Sequence, residues 1–357
     1  MTRFEDILEE EVAEINKALA KFITWKKDAA SHMGPIHQQY YDNILEYIMR
    51  GGKRLRPVAM VVAHKAVKKD IEVKHLYRAA CSLEILHNGS LLHDDLIDHD
   101  ETRRGGPTFH ARYREWYKKQ SDARQEKADD FGMTLAILGG DSLINLGAEA
   151  INHSELDSNT AMKLLDYYQK GFSDLVEGVL LEMSMITLPD VGEDTYLEMV
   201  YRKTATLFQK ALQMGATIAG ASDAQLNAFS EFGVKVGQAF QMQDDILGSF
   251  GDESVTGKSS AGDIREAKKT MLLIQALKRS TSGQKKVLED LLGKADMSDD
   301  EVRTVFRESG ALEATEKIRD DLLRQAQDAL KNTDPPLDPK YLEFLIALSE
   351  FLTSREF

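Results

Sequence analysis

The sequence predicts an all-α protein, and three observations carry that expectation. Leu, Ala, Glu, Lys and Met recur at helical spacing along most of the chain. Proline is scarce, at 7 in 357 residues, so few interior positions would interrupt a helix. No stretch alternates strictly between apolar and polar with turn signals at its ends, and no fixed-period repeat or low-complexity tract is visible. The length allows one large core or two ordinary ones. No segment reads as a linker, so a single domain over residues 1–357 is expected.

In order along the chain, the periodicity places helices over 5–26, 36–50, 57–68, 73–99, 133–150, 160–187, 193–220, 223–250, 263–280, 284–294, 299–331 and 340–352. The first opens on MTRFEDILEEEVAEI, which is acidic and amphipathic rather than a signal peptide. The third follows the glycine-flexible GGKRLRP (51–57), with Pro57 expected at its first position. The helix from 73 runs into an acidic cluster, and the helix from 223 runs into a second one. Within 193–220, Val200, Leu207, Ala211, Met214 and Ile218 recur at helical spacing and share one buried face. Residues 112–130, RYREWYKKQSDARQEKADD, mix both charges without a clean apolar stripe and read as an exposed charged insertion.

Charge and composition exclude several classes. A net charge of −14 argues against nucleic acid, whose phosphates need a basic field. No apolar run approaches the ~20 residues of a bilayer crossing, so no membrane span is expected. The single Cys81 permits no internal disulfide and no cysteine-built zinc site, and the expected location is the cytoplasm.

The chemistry concentrates in LLHDDLIDHDETRRGGPTFH (91–110). Asp94 and Asp98 lie four residues apart, on one side of a helix, and Asp95 lies about 100° round from Asp94. Like charges at that spacing weaken a helix, so the cluster calls for a cation. Mg²⁺ suits it, because it takes carboxylate oxygens and completes its shell with water and phosphate. Asp244 and Asp245, in GQAFQMQDDILGSFGDE, form a second pair on another helix. Carboxylates facing a cavity could hold a diphosphate through metal. Basic groups accompany them: Lys53, Arg54 and Arg56 at a loop leading into a helix, Arg103 and Arg104, Lys203 beside Thr204, and Lys258 and Lys268. The bland alternative for each group taken singly is a solvated surface charge.

These motifs resemble those of the trans-isoprenyl diphosphate synthases, the farnesyl and geranylgeranyl diphosphate synthase family. GGKRLRP, ILHNGSLLHDDLIDHDETRRGGPTFH, GGDSL, KTA, FQMQDDILGSFGD and TGKSSAGDI occur in the family's order over nearly the whole chain. The resemblance implies an all-α bundle around a deep central cavity, usually a homodimer, that condenses isopentenyl diphosphate with an allylic diphosphate. It implies that Asp94, Asp95, Asp98, Asp244 and Asp245 hold Mg²⁺, three ions with substrate bound. It further implies that Lys53, Arg56, His87 and Arg104 take isopentenyl diphosphate, and that Arg103, Lys203, Thr204, Gln241, Lys258 and Lys268 take the allylic diphosphate. Gly89 and Ser90, then Leu86 and Leu83, lie one and two turns before the first motif, where they would line the tail channel. Small residues there point to products longer than farnesyl, with geranylgeranyl diphosphate expected.

The chain departs from the family pattern in two places. Gly248 stands where a third Asp is common, leaving Asp244 to carry most of that metal site with water or Asp252 as compensation. Gly178-Val179-Leu180-Leu181-Glu182 stands where Gly-Gln-x-x-Asp is common, and Glu182 is expected to brace an arginine. Three rival readings remain open. Asp245, Ser249 and Glu253 have the spacing of a terpene cyclase metal triad. His93-Asp94 resembles the pair of an all-α phosphohydrolase. Val179 and Gly248 leave room for a non-catalytic subunit of a heteromeric synthase.

Overall fold

The structure, a computed structural model, describes residues 4–68, 73–120, 124–188, 190–251, 268–291 and 299–354. Nearly all of them are helical, as the periodicity predicted. The chain forms two compact units, one comprising residues up to Tyr168 with Thr217–Ala219, the other Gln169–Ala216 and Gly220 onward.

The first unit contains α1 (Phe4–Ala29), α2 (Pro35–Met49), α3 (Leu55–Val67), α4 (Val73–Ile97), α5 (Phe109–Gln120), α6 (Gln125–Asn152) and the start of α7 (Ser158–Met185). Between α4 and α5 sits a small antiparallel hairpin, β1 (Thr102–Arg103) and β2 (Gly106–Pro107). The central contact is α4 on α6, and glycines make it close. A Cβ on Gly89 would lie 3.1 Å from the Gly140 carbonyl oxygen, and one on Gly140 would lie 2.1 Å from His93 Nε2. A Cβ on Gly139 would meet Leu92 Cδ2 at 2.9 Å. The GGDSL motif is thus a packing surface. By length and composition α6 alone among the described helices could cross a bilayer, which the sequence reading did not anticipate. It packs against α4 and α5 and leaves Met133, Ile137 and Leu138 exposed.

α5 occupies much of the segment expected as an exposed insertion, and α6 starts at Gln125 instead of the expected 133. The reason lies in the stripe, which is aromatic instead of aliphatic. Phe109 and Tyr113 are buried with ring centroids 5.0 Å apart, and Trp116 and Tyr117 stack on Phe131 of α6 at 5.7 and 4.6 Å. Between them Glu115, Lys119 and Gln120 are exposed, which is the charge mixture the sequence displays.

The second unit contains the rest of α7, α8 (Glu193–Val200), a π-helical turn (Tyr201–Ala205), most of α9 (Thr206–Ile218), α10 (Asp223–Phe250), α11 (Met271–Arg279), α12 (Ser282–Leu291), α13 (Asp299–Glu308), α14 (Ala311–Lys331) and α15 (Pro339–Thr353). Ser222 and Gln225 close a capping box at the start of α10, which packs along α14. One core cluster joins Ile246 of α10 to Leu272, Val305 and Phe306; another joins Tyr196, Met199, Met242 and Ile274. The helix expected over 299–331 is interrupted at Gly310, whose φ of 73° is a left-handed conformation that suits glycine. The helix expected over 193–220 is interrupted by the π turn. Residues 263–267 of another expected helix lie outside the described residues.

Candidate active site

The first acidic motif closes α4. Asp98 N donates to Asp94 O at 2.8 Å, so these two carboxylates stand one turn apart, Asp94 half-buried and Asp98 exposed. Asp95, expected among the metal ligands, is instead fully buried with both oxygens engaged. Tyr47 of α2 donates its hydroxyl to Oδ2 at 2.8 Å, and Arg103 Nε donates to Oδ1. Burial, then the Asp95 charge, pushes the Tyr47 phenol far up, so it remains a donor. Burial works against the Arg103 charge, yet the Asp95 carboxylate beside it holds its pKa above the ordinary value.

A two-residue hairpin delivers Arg103. Arg104 and Gly105 have φ of 51° and 73°, the positive pair of a type I′ turn, which returns the chain tightly enough for Arg103 to reach Asp95. Arg104, at the tip, donates from Nη1 to Gly51 O at 2.7 Å, and Arg50 holds the return strand through Pro107 O at 2.6 Å.

The GGKRLRP loop turns through Gly51 and Gly52, at φ of 104° and 124°, and Arg54 at 50°. Arg54 is the N-cap of α3, so Pro57 is the third helical residue and not the first. Arg54 also leaves the set of anion-binding candidates. Its Nη1 donates to Glu84 Oε1 at 2.6 Å, Nη2 to Ile48 O at 2.6 Å and Nε to Asn16 Oδ1 at 3.0 Å, and both members of the ion pair are buried. Arg56 behaves differently. Its buried Nε has no hydrogen-bond partner among the described residues, and burial, with the nearby Arg104, presses its pKa down against the opposing pull of Glu84. His87 is pressed well below the ordinary histidine value by burial first, then by Arg56, Arg104, Arg103 and Arg54. Lys53 is exposed beside them. Cations converging on a neutral imidazole, with an orphaned guanidinium donor, form a cradle for an anion.

The second unit builds its part around the π turn. A Cβ on Gly178 of α7 would lie 2.3 Å from Lys203 N, and one on Gly237 of α10 would lie 2.3 Å from Ala205 Cβ, so the turn is gripped on two sides. π-helical turns inside helices often mark functional sites. Lys203 Nζ donates to Glu182 Oε2 at 2.5 Å; Glu182 therefore braces a lysine where an arginine was expected. Thr204 Oγ1 donates to Gln241 Oε1 at 2.9 Å, and Gln241 Nε2 donates to Asp245 Oδ1 at 2.9 Å. Tyr196 donates to Asp245 Oδ2 at 2.6 Å. Asp245, like Asp95, is buried with both oxygens engaged, while Asp244 is half-buried. Lys268 is exposed. Lys258, Asp252 and Glu253 lie outside the described residues.

Of the expected tail-channel residues, Leu83 and Leu86 are fully buried and Ser90 is half-buried, its Oγ donating to His87 O at 2.8 Å. Gly89 faces Gly140 and Leu143 of α6, so its lack of a side chain serves the helix contact. Tyr47 and Tyr196 escape sequence reasoning because they reach their aspartates from elements remote in sequence, and Glu84 because its partner Arg54 lies on another element although Glu84 itself is on α4 with the motif.

Among the described residues no three His, Cys, Asp or Glu side chains converge as a ready-made metal cage. The carboxylate oxygens fit Mg²⁺, which binds through one or two carboxylates plus water and substrate phosphates. The phosphohydrolase pairing is not formed: His93 lies against α6, its Nε2 3.1 Å from Ile137 O. The cyclase spacing does not present a metal site either, since Asp245 and Ser249 are both buried.

An all-α chain with two aspartate pairs and a separate cationic cradle defines a class of enzyme that handles two diphosphates. The polyprenyl synthetase profile matches residues 38–309. The geranylgeranyl diphosphate synthase of Saccharolobus solfataricus is 36% identical over 283 residues, 79% of this chain and 76% of that protein. The geranylfarnesyl diphosphate synthase of Aeropyrum pernix is 33% identical, over 87% and 92% of the two chains. The crystal structure of the Corynebacterium glutamicum geranylgeranyl pyrophosphate synthase, complexed with isoprenyl diphosphate and magnesium, superposes with a TM-score of 0.87 at 26% identity, over 99% and 100% of the two chains. The chain belongs to the polyprenyl synthetase family. It is a trans-prenyltransferase.

Proposed function

We propose that this prenyltransferase condenses isopentenyl diphosphate head to tail with an allylic diphosphate and releases geranylgeranyl diphosphate. The observation that carries the reading is the cluster of Arg56, His87 and Arg104, with the unpartnered Arg56 Nε among them. It provides an anion site distinct from the carboxylates, which a cyclase would not need.

Lys53, Arg56, His87 and Arg104 bind the isopentenyl diphosphate, and the neutral His87 donates a hydrogen bond without adding charge. Arg103, Lys203, Thr204 and Gln241, with Lys258 and Lys268, take the allylic diphosphate. Asp94, Asp98 and Asp244 are assigned to Mg²⁺, three ions with substrate bound, and Asp95 and Asp245 support them from behind. When bound, Mg²⁺ neutralises the departing diphosphate and lowers the barrier to its release. The allylic C–O bond breaks with its electron pair on the diphosphate, the isopentenyl double bond attacks the cation, and the adjacent proton leaves to the released diphosphate. Fixed cations at the diphosphate stabilise the charge that develops in that step.

Support for the product comes from the 36% identical geranylgeranyl diphosphate synthase. A homodimer accounts for exposed apolar side chains that a monomer would leave in water: Met133, Ile137 and Leu138 on α6, and Leu180, Met183 and Ile186 on or just after α7. A cytoplasmic location accords with the single buried cysteine.

Mass spectrometry of products from purified protein, Mg²⁺, labelled isopentenyl diphosphate and each short allylic diphosphate tests the reading. Labelled geranylgeranyl diphosphate is expected. A longer linear product would overturn the chain length alone, unlabelled cyclic hydrocarbon would overturn the condensation, and no turnover would point to a missing partner subunit.

A further inference from the structure

The two acidic pairs share a construction that their sequences do not require. In each pair the second aspartate is buried, at 0% exposure for Asp95 and 6% for Asp245. Each takes a phenolic hydrogen bond on Oδ2, from Tyr47 at 2.8 Å and from Tyr196 at 2.6 Å. Each has its other oxygen engaged by a further side chain, Arg103 Nε in one case and Gln241 Nε2 in the other. Both tyrosines are buried, at 3% and 1%, and they come from separate elements, α2 and α8, in separate units. The first aspartates, Asp94 and Asp244, are half-buried.

We propose that Tyr47 and Tyr196 are positioning residues for Mg²⁺ capture: each anchors the inner carboxylate of its pair, so that the outer one is held ready for the metal. The inference rests on the prenyltransferase reading above and assigns a role to two side chains that the metal does not touch. Two mutually repelling carboxylates side by side on a helix disfavour each other's charged, ordered state unless each is held by a donor. A tyrosine hydroxyl fixes one of them at a single orientation, with its charge kept near the metal but outside the coordination layer. At Asp95 the need is sharpest, because it lies in the last turn of α4, where the helix dipole disfavours negative charge. At Asp245 the anchor extends through Gln241 to Thr204 on the π turn. Asp245 is thereby tied on one oxygen to α8 and on the other, through Gln241, to the π turn. Groups behind a metal's own ligands set affinity in this way, and their loss typically costs about 10- to 100-fold.

The test uses Tyr47→Phe and Tyr196→Phe, which keep the ring and remove only the hydroxyl. Mn²⁺ binding is read by electron paramagnetic resonance in the presence of inorganic pyrophosphate, alongside melting curves. Each variant is expected to raise the half-saturating Mn²⁺ about tenfold. Adding Tyr47→Phe to Asp95→Asn should cost nothing further, because the tyrosine acts through that carboxylate. Titrations within about twofold of the parent would overturn the proposal, as would a full additional loss in the Asp95→Asn background. If one variant does not fold, the other, in the separate unit, decides; if neither folds, the tyrosines are structural and the proposal falls. Failure of the parent protein to bind Mn²⁺ with pyrophosphate would instead overturn the prenyltransferase reading.

Discussion

The buried pair of Arg54 and Glu84 offers a quantitative test of how the GGKRLRP loop is held. Their side chains are 1% and 4% exposed, and Nη1 lies 2.6 Å from Oε1. Replacing Glu84 by Leu would leave a buried guanidinium with only Asn16 Oδ1 and Ile48 O among its described acceptors. Breaking a buried pair from one side typically costs about 3–5 kcal/mol, because the surviving charge is uncompensated. Removing both partners together often costs far less, since two desolvated charges disappear with the attraction. Arg54→Met, Glu84→Leu and the double variant therefore form a cycle in which the double loses at least about 2 kcal/mol less than the sum of the singles. The assay is urea unfolding followed by tryptophan fluorescence. Both tryptophans of the chain, Trp25 and Trp116, belong to the first unit, which also contains the pair, so the signal reports the unit concerned. With an m-value of about 2–3 kcal/mol/M, each single variant should lower the midpoint by about 1–2.5 M. Losses that add within about 0.5 kcal/mol would refute the reasoning, because they would show that the two charges do not depend on each other.

Asp94→Ala should reduce turnover at least about 10³-fold by removing a metal carboxylate, while its melting curve stays near that of the parent. Gly178→Ala puts a Cβ 2.3 Å from Lys203 N; calorimetry should show a loss of about 1–3 kcal/mol, and steady-state kinetics a raised KM for the allylic substrate. His87 titrates below the ordinary 6.5, so on acidification the unfolded chain takes up a proton that the folded one refuses. Stability should therefore fall as pH drops through and below 6.5. Between pH 7.5 and 5.5 the parent should lose about 1.4 kcal/mol more than His87→Gln does, and equal losses would place His87 outside the cationic cradle.

Much of this protein is legible along the chain. Helical periodicity, the two aspartate pairs and the order of the basic motifs are local properties: residues four apart share a helix face whatever the helix packs against. They sufficed for the all-α class, and the prenyl-transfer chemistry followed from the family resemblance that the ordered motifs carry. The sequence misled where its signal was of another kind, as in α5, whose aromatic stripe replaces the expected leucines, and at Arg54, which is spelled like its neighbours Lys53 and Arg56 but turns inward to Glu84. Nor could spacing reveal that Asp95 and Asp245 turn inward, or that Tyr47 and Tyr196 hold them there. Burial decides whether a charge serves as a ligand or as a brace. Burial depends on which distant elements close over a residue, and only the tertiary structure determines that.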